Sequence, residues 1–232
     1  MTRLRRPAER APASPAASAS AGDGGDGDGP RFAGRLVVIG ASWGGLQALS
    51  QIVHHLPAGL PAAVAIVQHR SKDSGTLLAE LLQDVTALRV VDVEDKEPIV
   101  AGHAYVAPPD YHLLVDDGVF SLSVDAAFRY SRPSIDVTMT SAAEAYGDRV
   151  VGVVLTGAND DGARGARHVV ERGGAALVQD PATAEVRTMP EAASRALATA
   201  PQARWSVVPL DKIAARLVEL VAGAVGVAGR AS

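Results

Sequence analysis

Cysteine is absent from this chain. Its absence removes a thiol nucleophile, a disulfide framework and any thiolate metal site, and it agrees with a reducing compartment. Positive charge is not in excess: the formal net charge is −4, so the broad basic field that nucleic-acid binding needs is missing. No apolar run approaches the roughly 18 residues of a membrane span. The basic opening MTRLRRPAER is not followed by an apolar core, which argues against a cleaved secretory signal. We therefore expect neither nucleic-acid binding nor membrane insertion, and we expect a cytoplasmic protein.

What is present is a chain of 232 residues, 47% of them apolar. That suffices for one α/β domain with a sizeable core and hardly for two. Residues 1–33 stand apart, because the stretch APASPAASASAGDGGDGDGP holds only small, polar, Gly and Pro residues. Such a segment cannot bury enough apolar surface to offset its ordering entropy. The expected organisation is a disordered tail over 1–33, a folded domain over 34–225 and a flexible C-terminus over 226–232.

From Leu36 onward, short apolar runs alternate with amphipathic segments. The runs are Leu36–Ile39, Ala62–Val67, Val150–Leu155 and Ala175–Val178. Each is apolar on both faces, as buried parallel strands are. Leu46, Leu49, Ile52 and Val53 recur at helical spacing, as do Leu77, Leu78, Leu81 and Leu82, and Leu210, Ile213, Leu217 and Leu220. A helix with Val169 and Val170 should stop at Gly173-Gly174. Ser134, after Pro133, can cap a helix reaching to about Tyr146. Tyr111–Val115 and Val119–Val124 flank Asp116-Asp117-Gly118, a hairpin signal. The expected fold is α/β: a doubly wound, mostly parallel sheet with helices on both faces and one antiparallel hairpin.

In such a sheet, ligands bind beyond the carboxyl ends of the strands. Gly40-Ala41-Ser42-Trp43-Gly44 follows the first run, Gln68-His69-Arg70 the second, and Thr156-Gly157-Ala158-Asn159-Asp160-Asp161-Gly162 the third. A serine, a histidine and a carboxylate thus follow three strand ends, which right-handed crossovers bring to one edge. The first segment matches G-x-S-x-G between a strand and a helix, the turn that lets a serine oxygen stand clear of the backbone. The following helix would aim its amides and positive dipole end at the same spot.

Each feature alone has a plainer reading. Gly40, Gly44 and Gly45 could form a phosphate-binding turn, but the spacing is not G-x-G-x-x-G and Trp43 sits within it. His69 alone could be a packed or surface histidine, and Asp160 and Asp161 beside Gly162 could be turn residues. The coincidence of all three at strand ends favours nucleophilic chemistry. His54, His55, His103, His112 and His168 show no ligand spacing, so no metal site is expected.

Six segments, in order, resemble the chemotaxis protein-glutamate methylesterases, the CheB catalytic domain. They are VVIGASWGGLQAL, IVQH, YVAPPDYHLLV, RPSIDVTMTSAA, LTGANDDGARG and QDPATAEVRTMPEAA, within about residues 35–222. The resemblance implies Ser42 as nucleophile, His69 as base and Asp161 as the residue orienting it. Asp161 is preferred to Asp160 because it directly precedes Gly162-Ala163. The order Ser, His, Asp differs from the Ser, Asp, His of α/β-hydrolases. Two segments depart from the family pattern: Trp43 stands where Thr or Ala is usual, and Gly157-Ala158-Asn159 replaces Gly-Met-Gly.

The resemblance further implies hydrolysis of glutamate γ-methyl esters on the cytoplasmic helices of chemoreceptors, without a cofactor, in chemosensory signalling. Glutamine deamidation is the second activity expected. The backbone amides of Trp43 and Ala158 would form the oxyanion hole. Family members commonly carry an N-terminal receiver domain; the short segment before residue 34 leads us to expect none, and no phosphorylation control on this chain. Two other functions stay open at this stage: an inert receptor- or partner-binding module of the same fold, and a general small-molecule esterase.

Overall fold

The computed structural model describes residues 32–70, 77–128, 131–201 and 204–223. Most of the tail expected over 1–33, and the C-terminus expected over 226–232, lie outside the described residues. The elements in chain order are β1 (Arg35–Ala41), α1 (Gly45–His54), β2 (Ala62–Gln68), α2 (Leu77–Gln83), β3 (Arg89–Asp92), β4 (His103–Val106), β5 (His112–Val115) and β6 (Phe120–Ser123). They continue with α3 (Ile135–Tyr146), β7 (Val150–Val154), α4 (Ala163–Glu171), β8 (Ala175–Gln179), α5 (Thr188–Leu197), β9 (Trp205–Val208) and α6 (Leu210–Ala222).

The main sheet has the order β3-β4-β2-β1-β7-β8-β9, and every neighbouring pair is parallel. Side chains of a strand alternate between the two faces, and both faces of β1 are covered. Leu36 and Val38 pack into a cluster with Ile135 and Met139 of α3, Val169 of α4 and Leu197 of α5. Val37 and Ile39 pack into the opposite cluster, with Leu49 and Ile52 of α1, Leu78 and Leu82 of α2, and Ile213 and Leu217 of α6. The doubly wound reading is thereby met.

The hairpin forms as expected, with Gly118 at φ 86° in its turn. However, β5 and β6 make their own two-stranded antiparallel sheet rather than an excursion of the main one. Its inner residues Leu113, Val115 and Phe120 pack on the α3 side of the core. Two expectations are adjusted. In α2, Leu77 is 58% and Leu81 38% exposed, so only Leu78 and Leu82 of that stripe serve the core. Phe32, which the composition places in the tail, sits edge-on to Tyr146 at 5.8 Å and accepts a hydrogen bond from Arg149 through its carbonyl.

One close approach fixes the layer spacing at the site. A β-carbon at Gly40, in β1, would lie 2.3 Å from Ile135 Cγ2, so glycine there lets the first turn of α3 rest directly on the strand. The central strand β1 is also where the winding reverses: the chain passes from it to β2 on one side, while β7 lies on the other. The crevice beyond the carboxyl ends at such a reversal is where open α/β sheets bind ligands.

Candidate active site

Register alone brings two of the expected residues together. Parallel pairing sets Ala41 of β1 opposite Gln68 of β2, so Ser42 and His69 leave the sheet side by side. The His69 amide donates to the Ala41 carbonyl at 3.0 Å, and the Ser42 amide to the Thr156 carbonyl beyond β7 at 3.0 Å. Gln68 ties the two exits, donating from Nε2 to the carbonyls of Ser42 at 2.7 Å and His69 at 3.1 Å. The turn then enters α1 through Gly44 at φ 75°, a left-handed conformation that glycine adopts without a steric cost.

The third residue comes from the β7–α4 loop. Asp161 Oδ2 lies 2.8 Å from His69 Nε2, with the two side chains 1% and 13% exposed. The carboxylate also accepts from the Ile135 amide at 2.8 Å, the Asp136 amide at 2.9 Å and the Ser134 hydroxyl at 3.0 Å. It therefore sits on the amino end of α3, where unpaired amides and the helix dipole favour an anion. Burial by itself would raise the Asp161 pKa; the bonds from His69 and from the Asp136 and Ile135 amides outweigh it and hold the group below the usual carboxylate range.

An ionised carboxylate only accepts, so His69 Nε2 carries the proton and Nδ1 keeps its lone pair. That lone pair is what a general base needs. Asn159 Nδ2 faces it at 3.4 Å. Among the described residues no hydrogen bond joins the Ser42 hydroxyl to the imidazole; such contacts are often long before substrate arrives and tighten in the complex.

Two positions are expected to line an oxyanion site. Trp43 follows Ser42 directly, 66% exposed, its indole N–H bonded to Glu185 at 2.9 Å. Ala158 is exposed on the β7–α4 loop next to Gly157. Among the described residues neither the Trp43 nor the Ala158 amide donates to a protein acceptor. The Gly157 amide, by contrast, is spent on the Val186 carbonyl at 3.0 Å.

Four supporting residues escaped the sequence reading. Thr156 Oγ1 donates to the Trp43 carbonyl at 2.9 Å and accepts from the Val186 amide at 2.9 Å, joining the serine turn to the 180s loop. Asn159 Oδ1 accepts from the Asp161 amide at 3.2 Å. Asp136 and Glu185 complete the set. Only the residue after a strand run, as with Gln68 and Thr156, carried a positional hint. His54, His55, His103 and His168 lie away from this cluster in their bonding, and among the described residues no group of acidic, His or Cys side chains could hold a metal ion.

The fold and the site define a doubly wound α/β protein with a hydrogen-bonded imidazole–carboxylate pair at its topological switch point. Comparison with known proteins narrows this. A family model described as CheB methylesterase matches residues 37–217. A Leptospira interrogans protein provisionally named protein-glutamate methylesterase/protein-glutamine glutaminase is 42% identical over 79% of this chain and 93% of its own length. The protein-glutamate methylesterase FrzG of Myxococcus xanthus is 41% identical over 80% of this chain and 54% of its own. The crystal structure of the Thermotoga maritima CheB methylesterase catalytic domain superposes with a TM-score of 0.77 at 35% identity, covering 82% of this chain and 100% of that one. The chain belongs to the CheB methylesterase family.

Proposed function

We propose that this chain is a serine hydrolase that demethylates glutamate γ-methyl esters on the cytoplasmic helices of chemoreceptors, releasing methanol. The observation that carries the reading is the 2.8 Å bond from His69 Nε2 to a buried, ionised Asp161, which leaves Nδ1 basic beside the residue that follows β1. Family membership and the names of the relatives supply the substrate class.

Ser42 attacks the ester carbonyl as Nδ1 takes its proton. Asp161 stabilises the imidazolium that forms and holds the ring in one tautomer. The amides of Trp43 and Ala158 donate to the oxyanion; losing one such donor typically costs about 2.7–4 kcal/mol of barrier. The tetrahedral intermediate collapses as the imidazolium gives its proton to the departing methoxide, so methanol leaves and Ser42 holds the glutamyl group as an ester. Water then attacks that ester, with His69 as base again, freeing the glutamate carboxylate and restoring the serine. A glutamine substrate follows the same course with ammonia as the leaving group, so deamidation is proposed as a second activity. Receptor helices of this kind place the reaction in the cytoplasm. Among the described residues no helix is long and apolar enough to cross a membrane.

The test is methanol release from membranes bearing methylated receptors. The wild-type chain releases methanol and Ser42→Ala does not. An unchanged rate in Ser42→Ala would reject the assignment.

A further inference from the structure

Two helices at the site exchange carboxylates. Asp161, just before α4, accepts from the first amides of α3. Asp136, in the first turn of α3, accepts through Oδ1 from the amide of Gly162, just before α4, at 2.9 Å and from that of Gly165, in the first turn of α4, at 2.7 Å. The α4 N-cap is Gly162, at φ 91° and without a side chain to cap its own helix. Asp136 supplies that cap from a different element. A β-carbon at Gly165 would come within 3.0 Å of Asp136 Cα, so glycine there lets the two helix starts approach closely enough for the exchange.

Asp136 is 4% exposed. Its Oδ2 is buried with no partner among the described residues. Burying a carboxyl with half of its acceptor capacity unused is costly, and helix capping by itself does not require it, since an exposed Ser, Thr or Asn at the N-cap would do. What Asp136 adds is a bond to Gly162, the residue next to Asp161. The charged groups that act on it are Asp161 and Arg164.

We propose that Asp136 is a positioning residue for the hydrolysis: it pins the Gly162 and Gly165 amides, and thereby the backbone from which Asp161 reaches His69. The role rests on the mechanism proposed above. It lies in Oδ1 as an acceptor rather than in charge, so an amide oxygen can replace it. Asp136 touches neither substrate nor the reacting atoms.

The experiment compares the full chain with Asp136→Ala and Asp136→Asn by two readings. The first is steady-state methanol release. Asp136→Ala lowers kcat at least tenfold with KM within twofold, and Asp136→Asn stays within about threefold of wild type. The second is the low-field proton NMR signal of the His69 Nε2–H, identified by its loss in Asp161→Ala. It is displaced or broadened in Asp136→Ala and kept in Asp136→Asn. Should Asp136→Ala not fold, Asp136→Ser takes its place, because its shorter side chain cannot span both amides. A folded Ala or Ser variant with kcat within twofold and an unmoved signal would overturn the proposal, leaving Asp136 a cap for α4 alone. If the wild-type chain releases no methanol, the functional reading fails separately, and the NMR signal still decides the positioning role.

Discussion

Gly157 presses on Ser42: a β-carbon at Gly157 would stand 2.8 Å from the Ser42 β-carbon and 1.9 Å from Met189 Sδ. Both distances are shorter than atoms tolerate. Gly157 also receives the Met189 amide on its carbonyl at 3.0 Å, so the backbone cannot retreat freely. Gly157→Ala must therefore displace the serine or the methionine. Overpacking of this kind costs about 1–3 kcal/mol of stability, and a nucleophile moved by a fraction of an ångström loses rate steeply. We expect a folded variant with a lower urea midpoint and a kcat reduced at least tenfold. Activity equal to wild type would show that Ser42 tolerates the displacement or is not the nucleophile.

Asp161→Asn tests the tautomer directly. An amide nitrogen turned toward His69 would donate to Nε2, moving the imidazole proton to Nδ1 and removing the base. In serine enzymes the corresponding change lowers kcat by about four orders of magnitude while leaving the geometry intact. The amide oxygen can still accept from the Asp136 amide and the Ser134 hydroxyl, whereas the Ile135 amide, which shares Oδ2 with His69, loses its acceptor, so the variant should fold with reduced stability. The checks are kcat for methanol release and the circular dichroism spectrum. A loss below about tenfold would mean that Asp161 does not govern the imidazole.

Asp161 and Asp136 predict opposite dependences of stability on pH. Asp161 is lowered in the folded state, so its contribution is present above its unfolded value of about 3.9 and is lost as pH falls through the lowered one. Asp136 is raised, by burial first and by the nearby Asp161 as well. The folded state then binds a proton more readily there, and stability declines as pH rises from about 3.9 through the raised value. Asp136→Asn abolishes only the second effect. Urea denaturation across this range should show the stability of Asp136→Asn minus that of wild type increasing with pH, then levelling. A difference that shrinks as pH rises would contradict the sign.

Trp43 is exposed, yet its indole is held by Glu185, which keeps an apolar plate fixed beside the serine. Because so little of it is buried, Trp43→Ala should change stability by less than about 0.5 kcal/mol. Its effect should fall on KM, raised about three- to tenfold for methylated receptor, because an aromatic plate at the mouth of a site supplies contact area at small entropic cost. Glu185→Ala should raise KM in the same direction and less. A Trp43→Ala variant with unaltered KM would show that the substrate does not touch the indole.

How much of this was legible beforehand depended on where the partners lie in the chain. Strands β1, β2, β7 and β8 read clearly because burial on both faces makes their sequences continuously apolar. Strands β3 and β9 did not, since Arg89 is exposed in one and only Val208 is buried in the other. Ser134 was legible as a cap, because its acceptor role toward Val137 is local. Its donation to Asp161 was not, and neither was the bonding of Asp136, whose partner amides lie 26 and 29 residues away. A carboxylate that caps another helix leaves no periodic mark. Ser42, His69 and Asp161 stood out as candidates because each pairs a reactive side chain with a position after a recognisable strand, while Asn159, in the same loop as Asp161, and Glu185, after β8, are not residue types that announce such chemistry.

The central claim is that Ser42 is a nucleophile activated by His69. A fluorophosphonate probe with peptide mapping by mass spectrometry tests it without any assumption about the substrate. A single adduct on Ser42 is expected in the wild-type chain, absent in Ser42→Ala and strongly reduced in His69→Ala. An adduct on another residue, or labelling of Ser42 indifferent to His69→Ala, would contradict the claim.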